Sequence, residues 1–239
     1  MRAFLASAFG LGCLLACSRA SAADPAAWHV AAGAGTDFPL ALGARADVEA
    51  PFRLRASTSI GVLPGPYVDA INGFVVAIGG YDQSTADLVK AALSASLVWR
   101  THLGYRPFEH LGLYGEAGYG LVALGGSASA SEVVAAATGR EVPPGEATGS
   151  RAFDITSTLH MVDVELGWEL ALHERLRLRT AIGGAFTVAS STRIEPTYTP
   201  RSPRAVSELA RAGEAYLDDT YTSYVMSPVA SVSLSYVFF

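Results

Sequence analysis

The chain has 239 residues, of which 50% are hydrophobic and 16% are charged, and its formal net charge at pH 7 is −5. A single lysine, Lys90, and the lack of any basic run make nucleic acid an unexpected partner. No apolar run reaches the roughly 18 residues that a membrane-spanning helix needs. The high hydropathy therefore predicts either a large soluble core or a β-barrel whose lipid-facing residues alternate with lumen-facing ones.

The first 22 residues have the pattern of a secretory signal peptide. Arg2 gives a positive start, residues 3–17 are apolar, and Ala20-Ser21-Ala22 forms a small-residue cleavage site, so we expect cleavage before Ala23. The alternative is a lipobox, Leu-Leu-Ala-Cys, that ends in a lipidated Cys17. Both cysteines of the chain lie in this leader, so cleavage before Ala23 leaves no disulfide, thiol catalyst or cysteine metal ligand.

Eight segments of residues 23–239 alternate apolar with polar or small residues, which is the pattern of half-buried β-strands. They are residues 28–34, 42–49, 53–62, 93–103, 111–121, 162–170, 175–188 and 229–239. Short turns alternate with connections of about thirty residues, apart from a brief first outer loop at 36–41. Transmembrane barrels have short periplasmic turns and long extracellular loops. The alternation therefore predicts an all-β, eight-stranded antiparallel transmembrane β-barrel with both termini in the periplasm.

The charges fix the register of these strands. All strand charges share the polar parity, and they are Arg45, Asp47, Glu49, Arg53, Arg55, Arg100, Glu116, Asp163, Glu165, Glu169, Arg175, Arg177 and Arg179. A slip of one residue would turn them toward lipid, where each arginine costs roughly 2–4 kcal/mol. We predict that they form lumen ion pairs, because strands 2–3 and 6–7 set opposite charges against each other. An eight-stranded barrel is narrow enough to be plugged by such pairs; the alternative is a charged pore or gate.

The last strand ends on the aromatic residues Tyr236, Phe238 and Phe239. More aromatics fall at the same, periplasmic, ends of other strands: Trp28, Phe52, Tyr105 and Trp168. The terminal strand resembles the β-signal that the outer-membrane barrel assembly machinery recognises. This terminal strand and the predicted eight-stranded architecture together make the chain similar to small barrels typified by outer-membrane protein A and its shorter relative, outer-membrane protein X. The resemblance implies a Gram-negative outer-membrane barrel in contact with lipid and lipopolysaccharide.

Histidines are the natural candidates for an active site. His29, His102 and His160 lie in or beside strands, and Ser157 precedes His160 by three residues. Lipid A deacylases are eight-stranded barrels with a Ser-His-acid group, but the spacing here differs from the close His-x-Ser that the resemblance would require. No clustered His/Asp/Glu set indicates a metal and no glycine-rich loop indicates a nucleotide. We therefore expect no catalytic residues, metal or cofactor.

The three long connections are predicted to contain helices. Apolar residues recur at helical spacing from Val68 to Ile78, a Ser84-x-x-Asp87 cap precedes Lys90, and residues 131–137 and 207–217 are helix-prone. These helices either bind an extracellular ligand or partner, or simply cover the barrel mouth. Residues 74–78 could instead add a hairpin and make ten strands.

The functional prediction is a non-enzymatic barrel with a structural or surface-interaction role. The alternatives are a small porin for ions or solutes and a lipid A-modifying enzyme.

Overall fold

The computed structural model describes residues 28–77, 79–80, 83, 86–87, 90, 95–108, 111–129, 152–200 and 202–238. Within them, eight antiparallel strands pair in sequence order and close into a barrel, with β1 paired to both β2 and β8. The strands are β1 (His29–Phe38), β2 (Ala41–Glu49), β3 (Leu54–Val62), β4 (Ala95–Tyr105), β5 (Leu113–Ser129), β6 (Ala152–His173), β7 (Leu176–Pro196) and β8 (Met226–Val237).

The predicted eight-stranded antiparallel barrel is confirmed. The ten-strand alternative is wrong, because residues 74–77 belong to a helix. The predicted leader, the helix over residues 131–137, Ser84 of the predicted helix cap and the terminal Phe239 lie outside the described residues.

The outer wall of the barrel is apolar. Large side chains such as Leu103, Val164 and Ile182 are 62–72% exposed on it, whereas the residues of opposite parity are buried. The predicted aromatic girdle also faces outward, with Trp28, Phe52, Tyr105, Trp168, Tyr236 and Phe238 all at least 42% exposed. A closed barrel pairs its backbone groups internally and has no free sheet edge. An apolar wall around a charged interior therefore makes this a transmembrane barrel.

Strand β6 reverses its polarity part of the way along its length. Between Val162 and Trp168 the outward residues are apolar. Before His160 the outward residues are polar, and the inward ones are buried and, apart from Ser157, apolar, with Phe153 and Ile155 among them. The register shift against β7 falls at the same level, between His160 and Met161. The polarity of the outer face places the end of the lipid-facing zone near His160, and the sheet continues beyond it into water.

This continuation is longer than the sequence pattern predicts. The pattern assigns residues 125–156 to a loop, whereas β5 runs to Ser129 and β6 begins at Ala152. Likewise β7 runs to Pro196, beyond its predicted end at residue 188. We refer to the parts of β5–β7 beyond His160 (residues 121–129, 152–160 and 189–196), together with the helix α2 described below, as the outer extension.

Among the described residues, the helices α1 (Gly65–Ala77) and α2 (Pro203–Tyr224) pack at the end of the barrel opposite the strand ends that lie near the two termini. Leu217 and Tyr221 of α2 are at most 1% exposed and join a buried apolar cluster that includes inward side chains of β5–β7. Polar contacts fix the helix, because Glu214 Oε1 accepts the Ile194 N–H at 2.9 Å and Asp218 Oδ1 accepts the Thr192 hydroxyl at 2.8 Å. The apolar face of α2 therefore covers the interior of the outer extension.

The helix prediction for residues 207–217 is thus confirmed within the longer α2, and the apolar spacing that begins at Val68 lies in α1. Neither helix in the described part of the chain is both long and apolar enough to cross a membrane.

Candidate functional site

The lumen is filled by an ion-pair network, with Glu116 of β5 at its centre. The Glu116 carboxylate lies 3.0 Å from Arg45 Nη2, 3.2 Å from Arg55 Nε and 2.8 Å from Arg179 Nη2, and its side chain is 1% exposed. These arginines come from β2, β3 and β7, none of which neighbours β5 in the sheet. The central contacts therefore run across the lumen as well as along the wall.

Arg100 of β4 is the second centre of the network. Its guanidinium lies 2.8 Å from Asp37 on β1, 3.0 Å from Asp163 and 2.6 Å from Glu165, both on β6. Arg100 is 1% exposed and is one of the largest fully buried side chains in the described residues. One arginine therefore joins three strands within the lumen.

The end of the network nearer the start of β1 is built around Glu49 and Glu169. Glu169 accepts ion pairs from Arg55 at 2.9 Å, Arg106 at 3.0 Å and Arg177 at 3.2 Å. Glu49 is shared by Arg55 and Arg106 at 2.9 and 2.8 Å. Each buried charge of this layer therefore has partners at contact distance, which buried charges require.

An aromatic ring separates two of the arginines. Tyr114 is fully buried, with the guanidinium carbon of Arg55 4.4 Å and that of Arg179 5.0 Å from the ring centre. Such cation–π contacts stabilise guanidinium groups that have lost water. Gly167 of β6 provides the space, because a Cβ there would overlap the Tyr114 phenol.

The structure brings eleven of the thirteen predicted lumen charges into this network, and two lie elsewhere. Arg53 adopts a positive φ of 67° in the turn before β3 and donates to the Pro107 carbonyl at 3.3 Å. Arg175 lies in the turn before β7 and donates to Tyr236 Oη at 3.0 Å, which raises the pKa of the Arg175 guanidinium. Arg53 and Arg175 continue the sequence alternation of β3 and β7, but each strand begins one residue after them.

Sequence reasoning missed several members of the network. Asp37 and Arg106 fall in predicted connections, although Asp37 continues the polar parity of β1 and is buried at its end. Extending the alternation of β1 past Gly33 would have found Asp37. The part played by Tyr114 had no signal in the spacing, because it depends on side chains that meet across the lumen.

The expectation that no His/Asp/Glu residues cluster is wrong. His102, Asp163 and Glu165 are all buried, and one potential metal-ligating atom from each lies within 4.8 Å of the others. His102 pairs with Gly118 on β5, which in turn pairs with Asp163 on β6. The absence of a side chain at Gly118 lets the residues on either side approach each other.

Ser157 and His160, the residues considered for catalysis, do not share a face of the sheet. Ser157 is buried and contacts the Thr192 hydroxyl at 2.9 Å, whereas His160 faces outward near the lipid boundary. Nδ1 of His160 is hydrogen-bonded to the Tyr119 hydroxyl. The sheet itself therefore separates this serine from this histidine.

A small cavity lies on the side of the network nearer the β1–β2 turn. Its lining includes Gly35, Asp37, Gly43, Arg45 and Ser233, and its volume is about 10 Å³. That is room for about one water molecule. The small inward residues of β1–β3 and β8 therefore leave space for water beside the charges, but not for a solute.

These features define a closed eight-stranded transmembrane barrel with an ion-paired interior. Among solved structures it is similar to Acinetobacter baumannii CarO2, at 11% identity and a TM-score of 0.40 over 88% of this chain and 98% of that one. It is also similar to A. baumannii CarO, at 13% identity and a TM-score of 0.37 over 87% and 97% of the chains. A third is a major outer membrane protein from Thermus thermophilus, at 14% identity and a TM-score of 0.40 over 88% and 98%.

Similarities at this level concern the fold alone. No protein-family model matches the chain, and no curated protein matches its sequence.

Proposed function

We propose that the protein is a non-enzymatic barrel of the Gram-negative outer membrane that acts as a scaffold for its outer extension. The observation that carries this proposal is the filled lumen, in which Glu116 alone contacts three guanidinium groups. A solute would have to part buried ion pairs, and leaving a buried charge without its partner costs about 3–5 kcal/mol. This cost favours a plugged wall over a pore.

The outer extension is the part of the barrel best placed to meet other molecules. Its inward apolar residues are already covered by α2, which leaves a polar outer surface. The exposed residues of α2 include Arg204, Glu208, Arg211 and Asp219. Loops and extensions on a rigid scaffold commonly carry binding functions. We therefore propose a structural or surface-interaction role for this mixed-charge surface.

The proposed membrane environment is supported by the apolar outer wall. Its apolar band would contact outer-membrane lipid and lipopolysaccharide, and Tyr236 and Phe238 at the end of β8 would present the assembly signal. With an even number of strands, the short turns and both termini would face the periplasm. Protease added to intact cells should then cut a tag inserted in the 130–150 connection and spare a tag at the C-terminus.

Planar-bilayer conductance of the refolded barrel tests the plugged lumen. A heat-modifiable gel shift confirms folding, and we expect the folded wild-type protein to give no discrete current steps. The matched variant is Arg100→Ala, which removes a side chain that joins β4 to β1 and β6. Discrete, salt-scaled steps from the wild type would contradict the scaffold proposal and favour the small porin.

Lipid A analysis tests the remaining alternative. The mass of lipid A from cells that express the protein should equal that from cells without it. A changed mass that His160→Ala abolishes would instead indicate a lipid-modifying enzyme.

A further inference from the structure

The buried group of His102, Asp163 and Glu165 has the arrangement of ligands around an ion. His102 Nε2 lies 2.8 Å from Asp163 Oδ1 and 3.9 Å from Glu165 Oε1. In spite of the first distance, neither ring nitrogen of His102 makes a hydrogen bond within the described residues, and neither does Asp163 Oδ1. The ring nitrogen and the oxygen are therefore close together without being aimed at each other.

The surrounding residues hold this arrangement in place. Arg100 Nη2 lies 3.0 Å from the second oxygen of Asp163 and 2.6 Å from Glu165 Oε1, and Arg179 Nη2 lies 2.9 Å from the second oxygen of Glu165. Hydrogen bonds from outside a metal site commonly orient its carboxylates in this way. Gly118 lies between His102 and Asp163, and a Cβ there would come within 2.6 Å of Asp163 Oδ1 and nearer still to the His102 ring.

The ion-pair network also contains more acids than arginines. It contains six arginines, which are Arg45, Arg55, Arg100, Arg106, Arg177 and Arg179. It contains seven acids, which are Asp37, Asp47, Glu49, Glu116, Asp163, Glu165 and Glu169. The acids therefore outnumber the arginines by one, and a buried carboxylate without a counter-charge is costly.

We propose that His102, Asp163 and Glu165 bind a divalent transition-metal ion of the Zn²⁺ type inside the barrel. Imidazole nitrogen combined with carboxylate oxygen suits such ions, whereas Ca²⁺ and Mg²⁺ prefer oxygen ligands alone. Three protein ligands leave one position for water. This site is independent of the scaffold role proposed above.

Titration of the full protein with ZnCl₂ tests the site. Protein purified from membranes and stripped with a chelator is titrated calorimetrically at pH 7.5, and we expect one equivalent to bind with a micromolar or tighter Kd. His102→Gln should weaken binding at least tenfold, whereas His160→Gln, at the outward-facing histidine, should leave it unchanged. No stoichiometric binding by the wild type, or equal binding by His102→Gln, would overturn the proposal.

Two further measurements keep the test decisive if His102→Gln does not fold. Gly118→Ala should weaken binding without removing a ligand, whereas Gly120→Ala should not, because the nearest atom to a Cβ there is 3.4 Å away. Co²⁺ in place of Zn²⁺ should give the visible bands of a low-coordinate site. Imidazole NMR signals that keep His102 protonated in saturating Zn²⁺ would show that a proton fills the cluster, and would overturn the proposal.

Discussion

Replacing Glu116 by glutamine should be among the most destabilising single changes to the barrel. The amide keeps the size of the side chain but removes the charge that Arg45, Arg55 and Arg179 share. It also turns an N–H₂ group toward guanidinium donors that cannot accept a hydrogen bond. The substitution therefore leaves three buried cations with fewer partners while the shape of the lumen is unchanged.

The size of the stability loss caused by Glu116→Gln depends on the contacts that remain. Three hydrogen bonds to charged groups, at about 1.5–3 kcal/mol each, would give an upper range of roughly 4.5–9 kcal/mol. The arginines keep other partners, however, because Arg45 retains Asp47 at 2.8 Å and Arg179 retains Glu165 at 2.9 Å. We therefore expect the loss typical of one broken buried pair, about 3–5 kcal/mol. That is a large share of the roughly 5–15 kcal/mol that stabilises a typical fold.

Urea unfolding of the barrel in lipid vesicles measures this loss, with tryptophan fluorescence and the heat-modifiable band as two probes. Glu195→Gln is the matched control, since its partner Arg193 is 3.8 Å away and both side chains are more than two-thirds exposed. Exposed pairs contribute about 0–1 kcal/mol. If the two variants lost stability equally, the idea that buried cross-lumen ion pairs stabilise the barrel would be wrong.

Two further predictions concern the lipid boundary and α2. Val164→Arg, on the lipid-facing wall, should lower the free energy of unfolding in vesicles by roughly 2–4 kcal/mol. Thr156→Arg, four outward positions away and in water, should lower it by under about 0.5 kcal/mol. Equal losses would place the lipid boundary elsewhere. Leu217→Ala, at a fully buried position of α2, should lose about 2–5 kcal/mol and speed protease cleavage of α2. Glu208→Ala on the exposed face should leave the cleavage rate unchanged, and a similar rate in both variants would mean that α2 does not pack on the strands.

The membrane part of the fold could be predicted because successive residues of a strand face two different environments alternately. With lipid on one side and a charged lumen on the other, exposed and buried residues alternate in the structure along Leu54 to Val62 and Met226 to Val237. The outer extension escaped prediction because β6 reverses its polarity near His160. A pattern of fixed parity ends at that reversal, although the strand continues.

The lumen charges could be assigned to a face but not to partners. Neighbouring pairs such as Arg55 with Glu49 follow from the β2–β3 hairpin. Glu116 with Arg45 does not, because the strands that meet across a barrel depend on its diameter and on the stagger between strands. The sequence contains at most a weak indication that His102 approaches Asp163. That indication is Gly118, which lies between them in the register, and only the pairing of β4, β5 and β6 shows that it does.

The way the network connects strands has a consequence for assembly. Glu116 contacts arginines of three strands that β5 does not pair with, and Arg100 of β4 reaches Asp37 of β1. An open sheet of a few hairpins would hold these charges on one face without most of their partners, and they would have to remain hydrated. The ion pairs therefore contribute mainly at the last step, when β1 meets β8. Ring closure and loss of water from the lumen become a single cooperative event, and separating the β1–β8 seam would disrupt the network as a whole.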